Sequence, residues 1–430
     1  MRLFLLLLLI AGSAVAETAP TDSTTTEPWQ TRGTEQPLEN HDPHYIKAAK
    51  FAGYVPYAVL EIGFRPVVWA AEADETWHVS RSFARLLSWN IDRIDTKISS
   101  RFGYESGYGM TLAGIHADSQ NFLGSDFNYS ATAGFLSPRN NILSFEFANP
   151  IEPVGFNFLI RHEMKNDVPF YGLGMGSSPE RTDAHRRYLL IDASCSLAVS
   201  ENCAIKSSVW RRITDLGNPD DGETVSDNFP ALFATAEHSR YWGLELSACR
   251  DTRNSEDFST DGSLVRLIGG IVQDDSTGDE NYSTISGEYQ YFHQLWREGR
   301  SLAFRFFIEG MECSDRDQIP YTEMINMGGK YTLRGYDYYR FTDTHMTLST
   351  IEYRYPVTAN IQGRLFSEWG SVASEWNHLS TEDFAHSWGA GLAMNVQGTP
   401  LTLQWAHSSE GNHVYVGTST VFSLQSRRLR

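Results

Sequence analysis

The 430-residue chain has no apolar run long enough to cross a membrane as a helix. Leu3 to Ile10 is an apolar run of only eight, far short of the ~20 residues a spanning helix needs, and no later segment supplies one. A helical membrane protein is therefore excluded. Positive charge is also scarce: 35 Lys and Arg stand against 53 Asp and Glu, a net charge of -18. Without a basic cluster to neutralise phosphates, nucleic acid is excluded as a partner, and so are anionic membrane surfaces. Cysteine is rare, and Cys195, Cys203, Cys249 and Cys313 lack the paired spacing of a zinc site. The histidines are scattered singly, without the spacing of a metal centre. No glycine-rich phosphate loop follows a strand and opens a helix. Neither a metal nor any other cofactor is expected. No internal repeat of fixed period is present to suggest a propeller.

What the chain does have begins with Met1-Arg2, the apolar run, and Ser13-Ala14-Val15-Ala16. Small residues at that spacing predict a secretory leader over 1–16, cleaved near Ala16. Residues 17–43 are rich in Thr, Pro and Glu and read as a flexible tether. Residues 44–102 read as a short, partly helical segment, with Val79, Phe83, Leu86 and Leu87 at helical spacing. In an oxidising compartment, Cys195 and Cys203 would face each other if 186–198 and 202–212 form a tight hairpin. That leaves both bonded and free thiols open; Cys249 and Cys313 are expected to be free or structural.

From 103 to 424 the pattern changes. Aromatics make up 13% of the chain although the mean hydropathy is -0.36, a mixture that suits strands with one apolar and one polar face. Leu302, Phe304, Phe306 and Ile308 alternate with Ala303, Arg305, Phe307 and Glu309; Leu401, Leu403 and Trp405 alternate with Thr402, Gln404 and Ala406. Sixteen such runs are expected: 105–116, 127–136, 141–149, 154–164, 186–198, 202–212, 229–238, 241–250, 263–273, 283–293, 301–310, 346–356, 361–370, 386–396, 399–407 and 414–424. An even number of strands of this length fits an all-β, transmembrane antiparallel β-barrel. Alternation alone fits an exported soluble β-sandwich equally well. A short tail, 425–430, follows.

Between the eleventh and twelfth runs lies a long segment without strand pattern, 311–345, of a length that is usually functional. It carries Gly328-Gly329-Lys330-Tyr331-Thr332-Leu333-Arg334-Gly335-Tyr336. Glycines on both sides of Arg334 allow positive φ, so the backbone can turn back and present the arginine at a tip. In 361–370, alternation sends Leu365 and Trp369 outward and Arg364, Phe366 and Glu368 inward. Glu368 is then an inward carboxylate for Arg334, and Glu352 a second one. A bidentate pair there would pin the loop; charges merely solvated by lumen water are the alternative.

These motifs resemble those of the outer-membrane assembly and translocation barrels, the Bam- and Tam-type bacterial surface antigen family. The nine-residue stretch is similar to the family's Arg-Gly-Phe/Tyr lid loop, and Phe366-Ser367-Glu368-Trp369-Gly370 resembles its Phe-x-Asp-x-Gly strand motif, with Glu in place of Asp. Gly103 to Gly107 and Asn121 to Gly124 resemble the first strand and following turn. Asp251-Thr252-Arg253-Asn254 with Gly262 resembles a mid-barrel turn, Glu352 to Pro356 the strand after the lid, and Gly398 to Leu401 the penultimate hairpin. The resemblance implies location in the outer membrane of a Gram-negative-type bacterium and a lumen-anchored lid. It also implies a lateral seam, here 105–116 against 414–424, weakened by Gly107, Gly109 and Gly417. Implied partners are outer-membrane lipid and client outer-membrane proteins or a periplasmic or lipoprotein partner. The chain departs from the family in two ways. Residues 17–102 cannot hold an array of POTRA modules, and the chain runs past Phe422 and Leu424 into a tail. A transport pore is the alternative function. An enzyme is not expected; the one foothold for an outer-membrane lipid hydrolase is His407-Ser408-Ser409-Glu410-Gly411, whose His407 and Ser409 would share a strand face.

Overall fold

The structure, a computed structural model, describes residues 88–91, 96–105, 109–119, 127–149, 153–275, 281–296, 299–357, 361–379, 384–396, 399–417 and 422. The expected leader, the tether, the amphipathic stretch 77–87, Gly107 and the 121–124 turn lie outside the described residues. In chain order the strands are β1 (Ser88–Ile91), β2 (Thr96–Glu105), β3 (Gly109–Ser119), β4 (Asn128–Ser137), β5 (Asn140–Asn149), β6 (Val154–Phe170), β7 (Thr182–Ser200) and β8 (Cys203–Gly217). Two short helices follow, α1 (Val225–Asn228) and α2 (Pro230–Ala236). Next come β9 (His238–Asp251), β10 (Gly262–Asp274), β11 (Tyr282–Gln294) and β12 (Ser301–Cys313). Short strands β13 (Ile325–Met327) and β14 (Phe341–Asp343) lie in the long loop, and β15 (His345–Pro356), β16 (Ile361–Ala373), β17 (Ala385–Val396), β18 (Thr399–Ser408) and β19 (Gly411–Gly417) complete the chain. Among the described residues no helix is long and apolar enough to cross a membrane, which says nothing of strands.

Strands β2–β12 and β15–β19 make one antiparallel β-barrel sheet in which sequence neighbours pair, and β19 pairs back to β2 through Tyr415–Glu105, Val416–Tyr104 and Gly417–Gly103. Alternation decides which side chain meets which solvent. Leu302, Phe306, Leu267, Ile285 and Ile351 are exposed on the outer face, while Arg305, Glu309, Glu352 and Arg354 are buried within. An outward apolar face and an inward polar one is the arrangement lipid requires of a strand. Outward Trp388 and Trp405 meet edge to face at 5.3 Å and Trp369 stacks on His386 at 5.2 Å, amphipathic rings of the kind that gather at a membrane interface. One end of the barrel bears the long connections 171–181, 218–237, 314–344 and 374–384, and the other the short ones 201–202, 295–300, 357–360 and 397–398.

The expected strand count of sixteen is met through two offsetting differences. Most of the run expected over 229–238 forms α2 (Pro230–Ala236) rather than a strand, because Pro230 cannot donate to a ladder but suits the first turn of a helix. The missing strand is β2, which starts inside the 44–102 segment expected to be partly helical and ends at Glu105. The first and last strands of the sheet are consequently β2 and β19, not 105–116 and 414–424. Gly417 pairs with Gly103 between them, whereas Gly109 pairs with Glu105 inside the β2–β3 hairpin. All four cysteines are free: Cys195 faces Ser207, and Cys203 faces Ser200 across a register shift.

Candidate functional site

Between β12 and β15 the chain does not cross outside the barrel; it enters it. Residues 314–344, shorter than the 311–345 expected, are also more regular, with a 3-10 turn at Arg316–Gln318 and the two-stranded β13–β14 sheet. Ile319, Met324, Ile325, Met327, Leu333, Tyr336 and Phe341 are buried there in one cluster with Tyr188, Leu190, Trp210 and Tyr241 from β7–β9 and Leu348 and Val372 from β15–β16. The loop thus spans the lumen from wall to wall. On the β8–β11 side Glu323 accepts from Arg212 and, at 2.6 Å, from the Tyr282 hydroxyl. Beside it remains a polar void of about 90 Å³ lined by Arg161, Glu163, Arg186 and Glu323, room for only a few waters. The Tyr321 phenol, in the loop, is pushed up from its ordinary pKa by burial; that of Tyr171 is raised by burial and by the Asp337 carboxylate.

The nine-residue stretch is folded on itself by its glycines. Gly328, Gly329 and Gly335 have φ of 122°, 87° and 94°, a region costly for other residues. The Thr332 hydroxyl accepts from the Gly328 N–H at 2.9 Å, and the Gly329 N–H donates to the Tyr336 carbonyl at 3.2 Å. This turn projects Arg334, which is 0% exposed. Its backbone N–H donates to Glu368 Oε2 at 2.7 Å, while Nε and Nη2 donate to Oε1 at 3.0 and 2.6 Å. Nη1 donates to Gln404 Oε1 at 3.0 Å and reaches Glu352 Oε2 at 3.5 Å. Glu352 belongs chiefly to Arg354, whose Nε lies 2.8 Å away.

Each member of Phe-x-Glu-x-Gly on β16 receives one loop residue. The Phe366 ring lies 3.3 Å under the Arg334 guanidinium carbon. Glu368 takes its hydrogen bonds. Gly370 has no side chain where the Met327 sulfur sits, and an added Cβ would collide with it. The longer arm of Glu lets one carboxylate meet both the main chain and the guanidinium of Arg334. The tip continues to the last strands: the Gly335 N–H donates to the Tyr415 hydroxyl at 3.0 Å, that hydroxyl donates to the Tyr336 carbonyl at 3.3 Å, and Ser408 donates to the Gly335 carbonyl. Tyr415 also pairs with Glu105 of β2, so the tip is bonded to a residue of the β19–β2 pairing.

Three further contributions come from outside the nine-residue stretch and its strand motif, and of these only the Asp251-Thr252-Arg253-Asn254 turn is marked in the sequence. Arg340 donates from Nε to Glu410 at 2.8 Å and from Nη1 and Nη2 to Ser177 at 2.8 and 2.9 Å, clamping the loop to its neighbours. At the other end, residues 252–261 fold inward. Arg354 Nη1 and Arg364 Nη2 donate to the carbonyls of Ser259 and Asp257 there, and Arg253 is forked onto Asp251. Phe422 is likewise buried in the lumen. The His407 ring meets Asn412 Oδ1 at 3.1 Å and Trp388 edge to face at 5.5 Å, whereas the Ser409 hydroxyl lies 3.2 Å from that of Tyr336.

The Omp85 superfamily domain matches residues 200–423. Comparison with curated protein sequences returned no match. Among solved structures, BamA from Haemophilus ducreyi lacking POTRA domains 1–3 is similar at 15% identity and a TM-score of 0.57, over 76% of this chain and 70% of that one. CdiB from Acinetobacter baumannii is similar at 11% identity and a TM-score of 0.50, over 75% of this chain and 59% of that one. At such identities the likeness is one of fold, and it agrees with the sixteen-stranded sheet. The matched domain spans more than half of the chain, and the chain belongs to the Omp85 superfamily.

Proposed function

We propose that the chain is an outer-membrane barrel for protein assembly or translocation, in which loop 314–344 is a lid anchored in the lumen by Arg334. Its sheet closes through the short β2–β19 seam, the long connections face outward, and the leader is removed near Ala16 on export. The observation that carries this reading is the burial of Arg334 against Glu368 and Gln404. A loop that only narrowed an aqueous pore would leave its cation in water, because burying a charge is costly unless it is fully paired. The lid tip shares Tyr415 with the seam, which supports a coupled movement of lid and seam when a client strand enters. Client outer-membrane or secreted proteins are the proposed substrates, and lipid the surroundings. The role is not enzymatic, and the lateral route needs no open channel.

Planar-bilayer recording tests the reading. The wild-type barrel should hold a low conductance that Arg334→Ala raises. A steady wild-type current unchanged by that substitution would favour the transport pore instead.

A further inference from the structure

The register of β6–β9 sets two outward rows side by side. In one, Phe158 on β6 faces Ala193 on β7, Ala193 faces Val209 on β8, and Val209 faces Leu244 on β9. In the next, toward the short connections, Phe156 faces Cys195 and Cys195 faces Ser207. Phe156, Phe158, Val209 and Leu244 are exposed, so both rows lie on the outer face. Ala193, Cys195 and Ser207 between them are small. The wall is hollowed there into an apolar recess of about 510 Å³, with Phe147 stacked on Phe127 at one side.

The neighbouring rows close it along the strands. Toward the long connections come Ile160, Ile191 and Arg211, and toward the short ones Val154, Leu197 and Ile205. Arg211 marks a boundary. Its Nη2 donates to Asp275 at 2.5 Å and its guanidinium carbon lies 5.0 Å from the Trp242 ring centre, a charge and an amphipathic ring of the sort found at headgroup depth. At ~3.4 Å per residue, Val209 lies about 7 Å beyond Arg211 along β8 and Ser207 about 14 Å. That is the depth of acyl chains.

Size selects the occupant. An apolar cavity of about 150 Å³ stays dry and takes a benzene-sized molecule, and this recess is more than three times as large. Strands ~4.8 Å apart put the main chains of Phe158 and Val209 roughly 10 Å from each other, and the two side chains narrow that gap. A helix, ~10–12 Å across with its side chains, does not enter. A single hydrocarbon chain does, and a wall without polar side chains at its centre has nothing to offer a polar ligand.

We infer that this recess is a fixed site for one acyl chain of a membrane lipid whose headgroup sits at the Arg211–Trp242 edge. Phe156 and Phe158 on one side and Val209 and Leu244 on the other hold the chain, where a flat strand face would let it exchange. The inference goes beyond the lid reading: it requires the outer face to meet lipid and draws nothing from Arg334 or from the β19–β2 pairing.

Native mass spectrometry tests it on the full chain, extracted in mild detergent and still running as a folded band. The barrel should retain one phospholipid mass. Ala193→Leu with Ser207→Leu, which fills the recess with side chains that a lipid-facing strand accepts, should remove that mass, while Ile351→Ala, on the outer face elsewhere, should keep it. No retained lipid in the wild-type chain would overturn the inference, and so would equal retention in the filled variant or an adduct of protein mass. Cys195 gives a second reading that needs no filled variant. With Cys203, Cys249 and Cys313 replaced by Ser, N-ethylmaleimide should modify Cys195 in delipidated barrels. Palmitoyl-oleoyl phosphatidylethanolamine, added at about ten times the concentration that half-fills the site, should slow that reaction about tenfold, because only the empty fraction reacts. A rate indifferent to added lipid would count against the site.

Discussion

Arg334 and Glu368 meet through main chain and side chain at once: one carboxylate oxygen accepts the backbone N–H of Arg334 at 2.7 Å, and the other accepts Nε at 3.0 Å and Nη2 at 2.6 Å. Both side chains have no exposed surface. Such a pair fixes a position more than it adds stability, since the desolvation of two charges offsets much of their attraction. Removing one partner is different. Arg334→Ala strands Glu368 in the lumen and should cost about 3–5 kcal/mol. The loss should appear as a lower temperature for conversion of the folded gel band to the unfolded one. Arg334→Ala combined with Glu368→Gln should recover part of it, and a double variant as unstable as the sum of the singles would argue against coupling.

Charge alone will not replace the fork. Lys keeps a cation but has no planar set of donors to span Glu368, Gln404 and Glu352. Arg334→Lys should therefore conduct more like Arg334→Ala than like wild type.

Gly370 tests the steric half of the same seat. Its added Cβ would meet the Met327 sulfur and lie 3.2 Å from Leu348 Cδ1. Gly370→Ala should destabilise by about 1–3 kcal/mol through overpacking, and Met327→Ala in the same chain should relieve it. No relief would mean that the strand itself, rather than the loop above it, is what the glycine serves.

Much of this is legible in the sequence because period 2 is a local signal. Alternation along 361–370 is enough to send Phe366 and Glu368 inward toward the loop, and the glycines around Arg334 mark its turn. What fails is local in a different way. The 229–238 run alternates like a strand, but Pro230 overrides the pattern; β2 has Ser99, Ser100 and Arg101 in succession, which blurs its faces. The Glu323 contact with Arg212 and the Arg340 clamp join segments 111 and up to 163 residues apart, and nothing in either segment announces the other. The place of Phe422 is hidden for the same reason. An apolar residue at strand spacing reads as strand, and only the lumen partners Phe292, Arg354, Arg253 and Gln290 give it another place.

The thiols offer a check on the β7–β8 hairpin. Cys195 and Cys203 are not opposed in its register, so the folded chain should migrate identically with and without reductant, and all four thiols should be countable after denaturation. A reductant-dependent shift within the monomer would require a different register.

Arg340 makes the most specific claim about the outer part of the loop. Its guanidinium joins three segments, with Nε on Glu410 at the β18–β19 turn, and Nη1 and Nη2 on Ser177 in the β6–β7 connection. It also lies over Phe341 at 4.7 Å and Tyr171 at 5.3 Å. Arg334 shares no hydrogen-bond partner with it. Arg340→Ala should therefore free the connections 171–181 and 337–344 without releasing the tip, at a cost of about 1–3 kcal/mol for hydrogen bonds to a charged group. Limited proteolysis of the folded barrel should cut at these connections sooner, while conductance stays close to wild type. Arg340→Ala that conducts like Arg334→Ala would mean that the loop moves as one rigid body, with its two arginines sharing a single anchor.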